Sequence, residues 1–279
     1  MAAVEHGSAA SEITGLSDVV FSGVFMRPHP RERARPITLD VVRPGLIEIT
    51  PDEGVKESWP SCTLIECPGF RVLVDLGHPK EDPEHLLSVL RLRGLEPGDI
   101  HAVLFTHLHP DHIGYKELFS HALFVFHEDE RLAFYFKADR TLRLGGSALL
   151  ELCPEGFRRP RGSEEWPALR ALGRHVYVRH FPGHTPGSLA VFACVGGRVH
   201  ALAGDIILSR EYHEHAIPPG SSWKPELIPE QMRLIAAHAD VVVPGHGAPF
   251  ECRPPRTKAT RLRVVDRPGT VLPSTEETC

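Results

Sequence analysis

His107-Leu108-His109-Pro110-Asp111-His112 follows directly on the short apolar run His101-Ala102-Val103-Leu104-Phe105-Thr106. The run has the length and composition of a buried strand. The loop after it carries four side chains with lone pairs to offer: His107, His109, Asp111 and His112. The same juxtaposition recurs along the chain. Gly183-His184-Thr185-Pro186-Gly187 lies between the strand-like runs His175 to His180 and Leu189 to Val195. Gly204-Asp205 ends the run Arg198 to Ala203, and Pro244-Gly245-His246-Gly247 follows Val241-Val242-Val243. Upstream, Asp75 ends the run Arg71 to Val74. A lone loop histidine is ordinarily just solvated. An H-x-H-x-D-H followed by three Gly-flanked His or Asp positions is not an expected accident in a chain of 279 residues.

The intervening sequence sets the fold class. Turn signals at Pro44-Gly45 and Pro68-Gly69, each between apolar runs, predict two hairpins. Pro83 opens a helix that Gly94 stops, and further helices are expected over 113–119, 129–136 and 225–238, with a strand over 122–126. Glycines and prolines break the stretch 139–173, which reads as an insertion, and 209–224 reads as a loop. Strands come first and then interleave with helices, twice over. This predicts an α/β architecture of two sheets packed face to face with helices outside. Residues 1–36 are expected to be a partly mobile N-terminal extension, 37–252 the catalytic domain and 253–279 a mobile C-terminal tail.

Imidazole and carboxylate donors suit divalent zinc, iron or manganese. An H-x-H pair can place two imidazoles on one ion, and His184 would complete a three-histidine site with a position left for water. Asp111, His112 and His246 can hold a second ion, and Asp205 can bridge the two. Asp75 either orients a ligand histidine or caps a strand-end turn. His78 lies at the mouth of such a site or in solvent, and the same alternative holds for His213 and His215.

Composition narrows the partners. The net charge of -5 gives no electrostatic case for nucleic acid, and no apolar run approaches the ~18 residues of a membrane span. A small-molecule substrate is expected instead. The N-terminus lacks the basic start and apolar run of a signal peptide. The six cysteines form no C-x-x-C pair, so free thiols and a cytoplasmic location are expected.

In these motifs the chain resembles the metallo-β-lactamase superfamily over roughly residues 37–250. The resemblance implies a four-layer αβ/βα sandwich with metals at one edge of the two sheets. It places His107, His109 and His184 on a first metal, Asp111, His112 and His246 on a second, and Asp205 between them. It further implies a dinuclear, zinc-type hydrolase in which metal-activated hydroxide attacks a carbonyl ester, lactone or thioester. Asp111 would orient the nucleophile and move its proton. Asp205 resembles the lactonase and glyoxalase II-like branches, since true β-lactamases carry cysteine or serine there. The acyl-homoserine lactonase tyrosine, three residues on, is replaced by Leu208, which leaves Tyr212 or His213 as the candidate oxyanion donor. The C-terminal tail does not resemble the basic helical region with which glyoxalase II-like enzymes bind glutathione. Two alternatives stand beside hydrolysis. One is a mononuclear iron enzyme similar to persulfide dioxygenases, the other a non-catalytic metal-binding relative.

Overall fold

A computed structural model describes residues 37–252, apart from 51–53, 68, 81–82, 132–140, 146–148, 154–155 and 159–175. The tails 1–36 and 253–279 lie outside the described residues.

The first sheet contains β1 (Thr38–Arg43), β4 (Cys62–Cys67), β5 (Phe70–Val74), β6 (Ala102–Leu104), β7 (Leu123–His127) and β8 (Thr141–Leu144), in that spatial order. The second runs β10 (Gly156–Arg158), β9 (Leu149–Cys153), β11 (Val176–His180), β12 (Leu189–Val195), β13 (Arg198–Gly204), β14 (Val241–Pro244) and β15 (Phe250–Glu251). A separate ribbon pairs β2 (Leu46–Thr50) with β3 (Gly54–Trp59).

Side-chain alternation explains the layering. In β5, Val72 and Val74 face the second sheet, where Val178, Val191 and Leu202 meet them in a common core. Leu73 points the other way, into a cluster with Leu86 and Leu90 of helix α1 (Glu84–Leu92). The second sheet repeats the logic. Val191 pairs with Leu202 and both face inward, while Phe192 pairs with Ala201 and both face Met232 and Ile235 of helix α3 (Ile228–His238), which follows the short helix α2 (Arg210–Glu214). Both faces of both sheets are therefore covered, and the strands read as continuous apolar runs instead of alternating ones. The order helix, sheet, sheet, helix is the expected four-layer αβ/βα sandwich.

Parallel pairs β5/β6, β6/β7 and β13/β14 align the C-terminal ends of strands from each sheet. The motif loops leave from those ends. Leu189 N–H donates to Thr106 O at 2.8 Å, tying the two sheets together beside the H-x-H-x-D-H loop.

Several expectations need correction. The chain does turn at Pro44-Gly45, but β1 pairs with β4 and β2 with β3, so no hairpin forms there. The turn is instead pinned elsewhere: Gly45 N–H donates to Ser61 Oγ at 2.9 Å, and its backbone lies against Gly245, His246 and Gly247. The segment 139–173 is not merely an insertion, because β8 pairs with β7, and β9 with β11. Its glycines and prolines hid short strands. The helix expected over 113–119 is a single tight turn at Lys116–Phe119. Most of the helix expected over 129–136 lies outside the described residues. The stretch 209–224 is not all loop, since Ser209 caps a short helix over Arg210–Glu214, whereas the hairpin at Pro68-Gly69 and the helices α1 and α3 form as expected.

Cys62, Cys67 and Cys252 are free and buried, but Cys194 is disulfide-bonded, so free thiols do not describe every cysteine. Burial, with Asp240 alongside, pushes the Cys252 thiol up to about 11, which leaves it unreactive at neutral pH. Among the described residues no helix is long and apolar enough to cross a membrane.

Candidate metal centre

All seven side chains singled out in the sequence converge, in two adjoining groups: His107, His109, His184 and Asp205, and Asp111, His112 and His246. His109 Nδ1 lies 3.0 Å from both His107 Nε2 and His184 Nε2. Two nitrogens on one tetrahedral zinc, with bonds of about 2.0–2.1 Å, would sit about 3.3 Å apart. Asp205 joins the groups through its two oxygens. Oδ2 is 3.4 Å from His184 Nε2 and 3.9 Å from His107 Nε2. Oδ1 is 3.3 Å from His112 Nε2 and 3.4 Å from His246 Nε2. Asp111 Oδ2 approaches His246 Nε2 at 3.4 Å and His112 Nε2 at 3.8 Å.

The donor set fits a metal on a direct observation. His112 Nε2 and Asp205 Oδ1 are buried and have no hydrogen-bond partner. Such orphaned atoms cost roughly 1–3 kcal/mol each unless something satisfies them. A cation between them does so.

The far sides of the His112, His107 and His246 rings are each held by a partner. His112 Nδ1 lies 2.9 Å from Asp75 Oδ2, so Nδ1–H donates to that carboxylate and Nε2 is left facing the group. Asp75 is thus the orienting aspartate and not merely a turn cap. It also accepts from Thr106 N–H at 2.8 Å and from the Thr106 hydroxyl at 2.7 Å. The Thr106 hydroxyl, having given its proton to Asp75, accepts from His107 Nδ1 at 3.1 Å. His246 Nδ1 faces Ser58 Oγ at 2.9 Å, a residue of the separate ribbon. Ser61 holds the same loop from below, its hydroxyl donating to Pro244 O at 2.7 Å and its N–H to Gly245 O at 2.7 Å. Nothing in spacing or motif singled out Ser58, Ser61 or Thr106, because each works through a contact distant in sequence or through a hydroxyl too common to notice.

Two glycines are required by close approach. Gly204 has φ +51°, and a Cβ there would meet the Thr106 side chain at 2.7 Å. A Cβ on Gly245 would sit 2.0 Å from Asp205 Oδ1.

The walls differ from expectation. His213 packs against Phe250 (ring centroids 5.6 Å apart), and Tyr212 packs on the outer core of the second sheet. His213 belongs to neither ligand group, and Leu208 is buried. The segment 209–224 meets the ligand loops at both ends, with Ser209 beside Gly247 and Trp223 and Lys224 on the His184 loop. Trp223 N–H donates to His184 O at 2.8 Å and Lys224 N–H to Gly183 O at 2.9 Å. On the opposite flank His78 is half-buried, edge-on to Trp59, the neighbour of Ser58. His215 is exposed.

A third group, His127, Asp129 and His180, also brings donors together. Its two imidazoles stack nearly parallel, at 3.8 Å and 13°, so their lone pairs run side by side and do not converge on one point. His180 Nε2 also bonds Pro186 O at 2.7 Å, and His127 Nδ1 accepts from Asp129 N–H at 3.2 Å. It is a packing contact.

The electrostatics of the two ligand groups are unlike. Burial pushes His107 well below the ordinary histidine range, with His112 adding to it, and burial likewise lowers His109 and takes His184 to about 4. Those rings are neutral at pH 7, with lone pairs ready. In the second group burial acts downward too, but Asp205 and Asp75 outweigh it and hold His112 well above its ordinary value. Asp205 and Asp111 similarly overcome burial at His246 and raise it to about 9. Burial alone would raise both carboxyls. At Asp205 the charges of His246 and His112 override it and hold the group well below the usual range, and at Asp111 the bond to His246 and the charge of His112 have the same sense.

A pH dependence follows. A ligand with a raised pKa keeps its proton at neutral pH and makes an incoming cation compete for the site, and the competition ends as pH rises past that pKa. Metal affinity at the Asp111, His112 and His246 group should therefore climb between pH 6 and 9, by about tenfold per pH unit for each proton displaced. Affinity at the three-histidine group should change little. Chelator competition at several pH values, resolving two binding steps, measures this; two steps with equal pH slopes would contradict it.

Comparison with known proteins agrees with the fold. The model of the metallo-beta-lactamase superfamily matches residues 60–246. Metallo-beta-lactamase domain-containing protein 1 of Xenopus laevis is 31% identical over 196 residues, covering 68% of this chain and 71% of that protein. The protein of the same name in Homo sapiens is 33% identical over 187 residues, and the match spans 64% of this chain and 59% of the human protein. Among solved structures, a Thermotoga maritima protein assigned as a metallo-beta-lactamase superposes with a TM-score of 0.56 at 19% identity, over 78% of this chain and 100% of that one. AiiA of B. thuringiensis, solved with N-decanoyl-L-homoserine at its active site, gives 0.53 at 18% identity over 76% and 93%. At such identities the likeness is one of fold. The chain belongs to the metallo-beta-lactamase superfamily.

Proposed function

We propose that this protein is a dinuclear metal-dependent hydrolase, of zinc type, acting on a carbonyl ester, lactone or thioester. One observation carries the reading: the two oxygens of Asp205 face different histidine groups. His107, His109 and His184 would hold one ion, Asp111, His112 and His246 the other, and Asp205 both. Two divalent ions there would supply Lewis acidity for a carbonyl oxygen and bring the pKa of water toward neutrality.

The chain's own residues do the rest. Asp111, with 27% of its side chain exposed, is the ligand-group carboxylate that reaches toward solvent. Held ionised, it can accept a proton from water and return it to the leaving group. Asp75 and Ser58 fix the rings of His112 and His246, so these donors need no rearrangement when substrate arrives. The free thiols Cys62, Cys67 and Cys252 are buried and belong to neither group, and the reading takes water as the nucleophile.

Metal analysis of protein purified without added metal, together with a panel of lactones, thioesters and aryl esters, tests the proposal. About two zinc-like ions per chain are expected, with turnover abolished by a chelator and restored by zinc. A single iron with oxygen consumption would move the protein to the dioxygenase reading. Full occupancy with no turnover of any panel member would make it a metal-binding relative without this activity.

A further inference from the structure

We propose that Glu130 is a positioning residue: it locks together the two loops that build the three-histidine group, and so sets that group's grip on metal. The inference rests on the metal reading of the site.

Glu130 is 3% exposed, at the turn after β7, and belongs to neither ligand group. Its Oε2 accepts from Leu108 N–H at 3.1 Å. Leu108 is the residue between His107 and His109. Its Oε1 accepts from the Thr185 hydroxyl, and Gly187 N–H also donates to the carboxylate. Thr185 and Gly187 belong to the loop that carries His184. One buried side chain therefore spans the loops that deliver all three histidines. Its three partners are all donors, and a carboxylate, with two acceptor oxygens, is the side chain that matches them. Thr185 is itself fixed, since its N–H donates to Ser188 Oγ at 2.9 Å and the two hydroxyls lie 2.7 Å apart. Gly187 leaves room for the contact, because a Cβ there would stand 2.8 Å from Glu130 Cγ. The same turn braces the loop a second time, through His127 stacked on His180, whose Nε2 bonds Pro186 O.

A buried carboxylate that only completed a hydrogen-bond network would stabilise the fold without preferring one metal group. The bonds of Glu130 go to Leu108, Thr185 and Gly187, the immediate neighbours of His107, His109 and His184, while His112, further along the first loop, has its own partner in Asp75, so loss of Glu130 should act first on the three-histidine group.

Glu130→Gln keeps the shape but turns one acceptor into a donor facing a donor. It should weaken metal at the three-histidine group by about 10–100-fold, leave the second binding step in place, and shift the visible absorption of the Co²⁺-substituted protein. Thr185→Val should move the same readouts in the same direction, and Thr185→Ser, which restores the hydroxyl, should return them to the wild-type values. Chelator competition and the Co²⁺ spectrum measure this at matched circular dichroism. Wild-type affinity and spectrum in Glu130→Gln would overturn the proposal, as would parallel weakening of both steps together with lost thermal stability. Where Glu130→Gln does not fold, the Thr185 pair decides. Wild-type protein that binds neither Zn²⁺ nor Co²⁺ would instead sink the metal reading itself.

Discussion

Asp205→Ala is expected to cut turnover by well over about 100-fold while the chain still folds. Replacing residues that merely support a ligand already costs 10–100-fold. Asp205 does more, since each oxygen faces a different group and one of them, Oδ1, is a buried orphan without a cation. Alanine removes the only carboxylate that, among the described residues, faces both histidine groups, so at least one ion per chain should be lost or misplaced. The core should survive: Asp205 stands past the end of β13, and the apolar clusters close without it. Metal content, turnover and circular dichroism of the same preparation test this together. Near-normal turnover with full metal content would show that the bridging role is wrong.

Gly245→Ala comes next in expected effect, although it removes no donor. The added methyl would lie 2.0 Å from Asp205 Oδ1, 2.9 Å from Gly204 C and 3.0 Å from Gly204 O. Two of these neighbours are backbone. The third is a buried carboxylate that the metal groups need where it is. Retreat of the Gly245 loop is blocked as well, since Gly245 N–H donates to Ile207 O at 2.9 Å and His246 N–H to Leu208 O at 2.7 Å. Overpacking of this kind costs about 1–3 kcal/mol. We expect a lowered midpoint of thermal unfolding together with weakened metal at the His246 group. A variant with wild-type stability and metal content would mean that the loop gives way more freely than its hydrogen bonds imply.

The site was more legible in the sequence than the walls around it. His107, His109, Asp111, His112, His184, Asp205 and His246 declared themselves because chemistry fixes their residue types and the strand exits fix their spacing. Asp75 was readable as a strand-end acid, but its alternative as a turn cap could be closed only by the 2.9 Å contact to His112. Ser58 and Glu130 were not readable. Each acts across the fold, and a serine in a ribbon or an acid after His127 carries no local mark of that. The hairpin at Pro44-Gly45 misled for a related reason: turn residues specify a change of direction, and the partner of each strand is chosen by tertiary packing. In β8 and β9 the glycines nearby obscured strands whose pairing with β7 and β11 supplies what the local sequence lacks.

His107, His109, Asp111 and His112 leave from one sheet, and His184, Asp205 and His246 from the other. Any ion gripped by both sets is a rivet across the seam between two halves of the molecule. Loading and folding are then a single linked equilibrium, in which bound metal withdraws the chain from its unfolded pool. Scarcity of metal would shorten the lifetime of the protein as well as silence its chemistry.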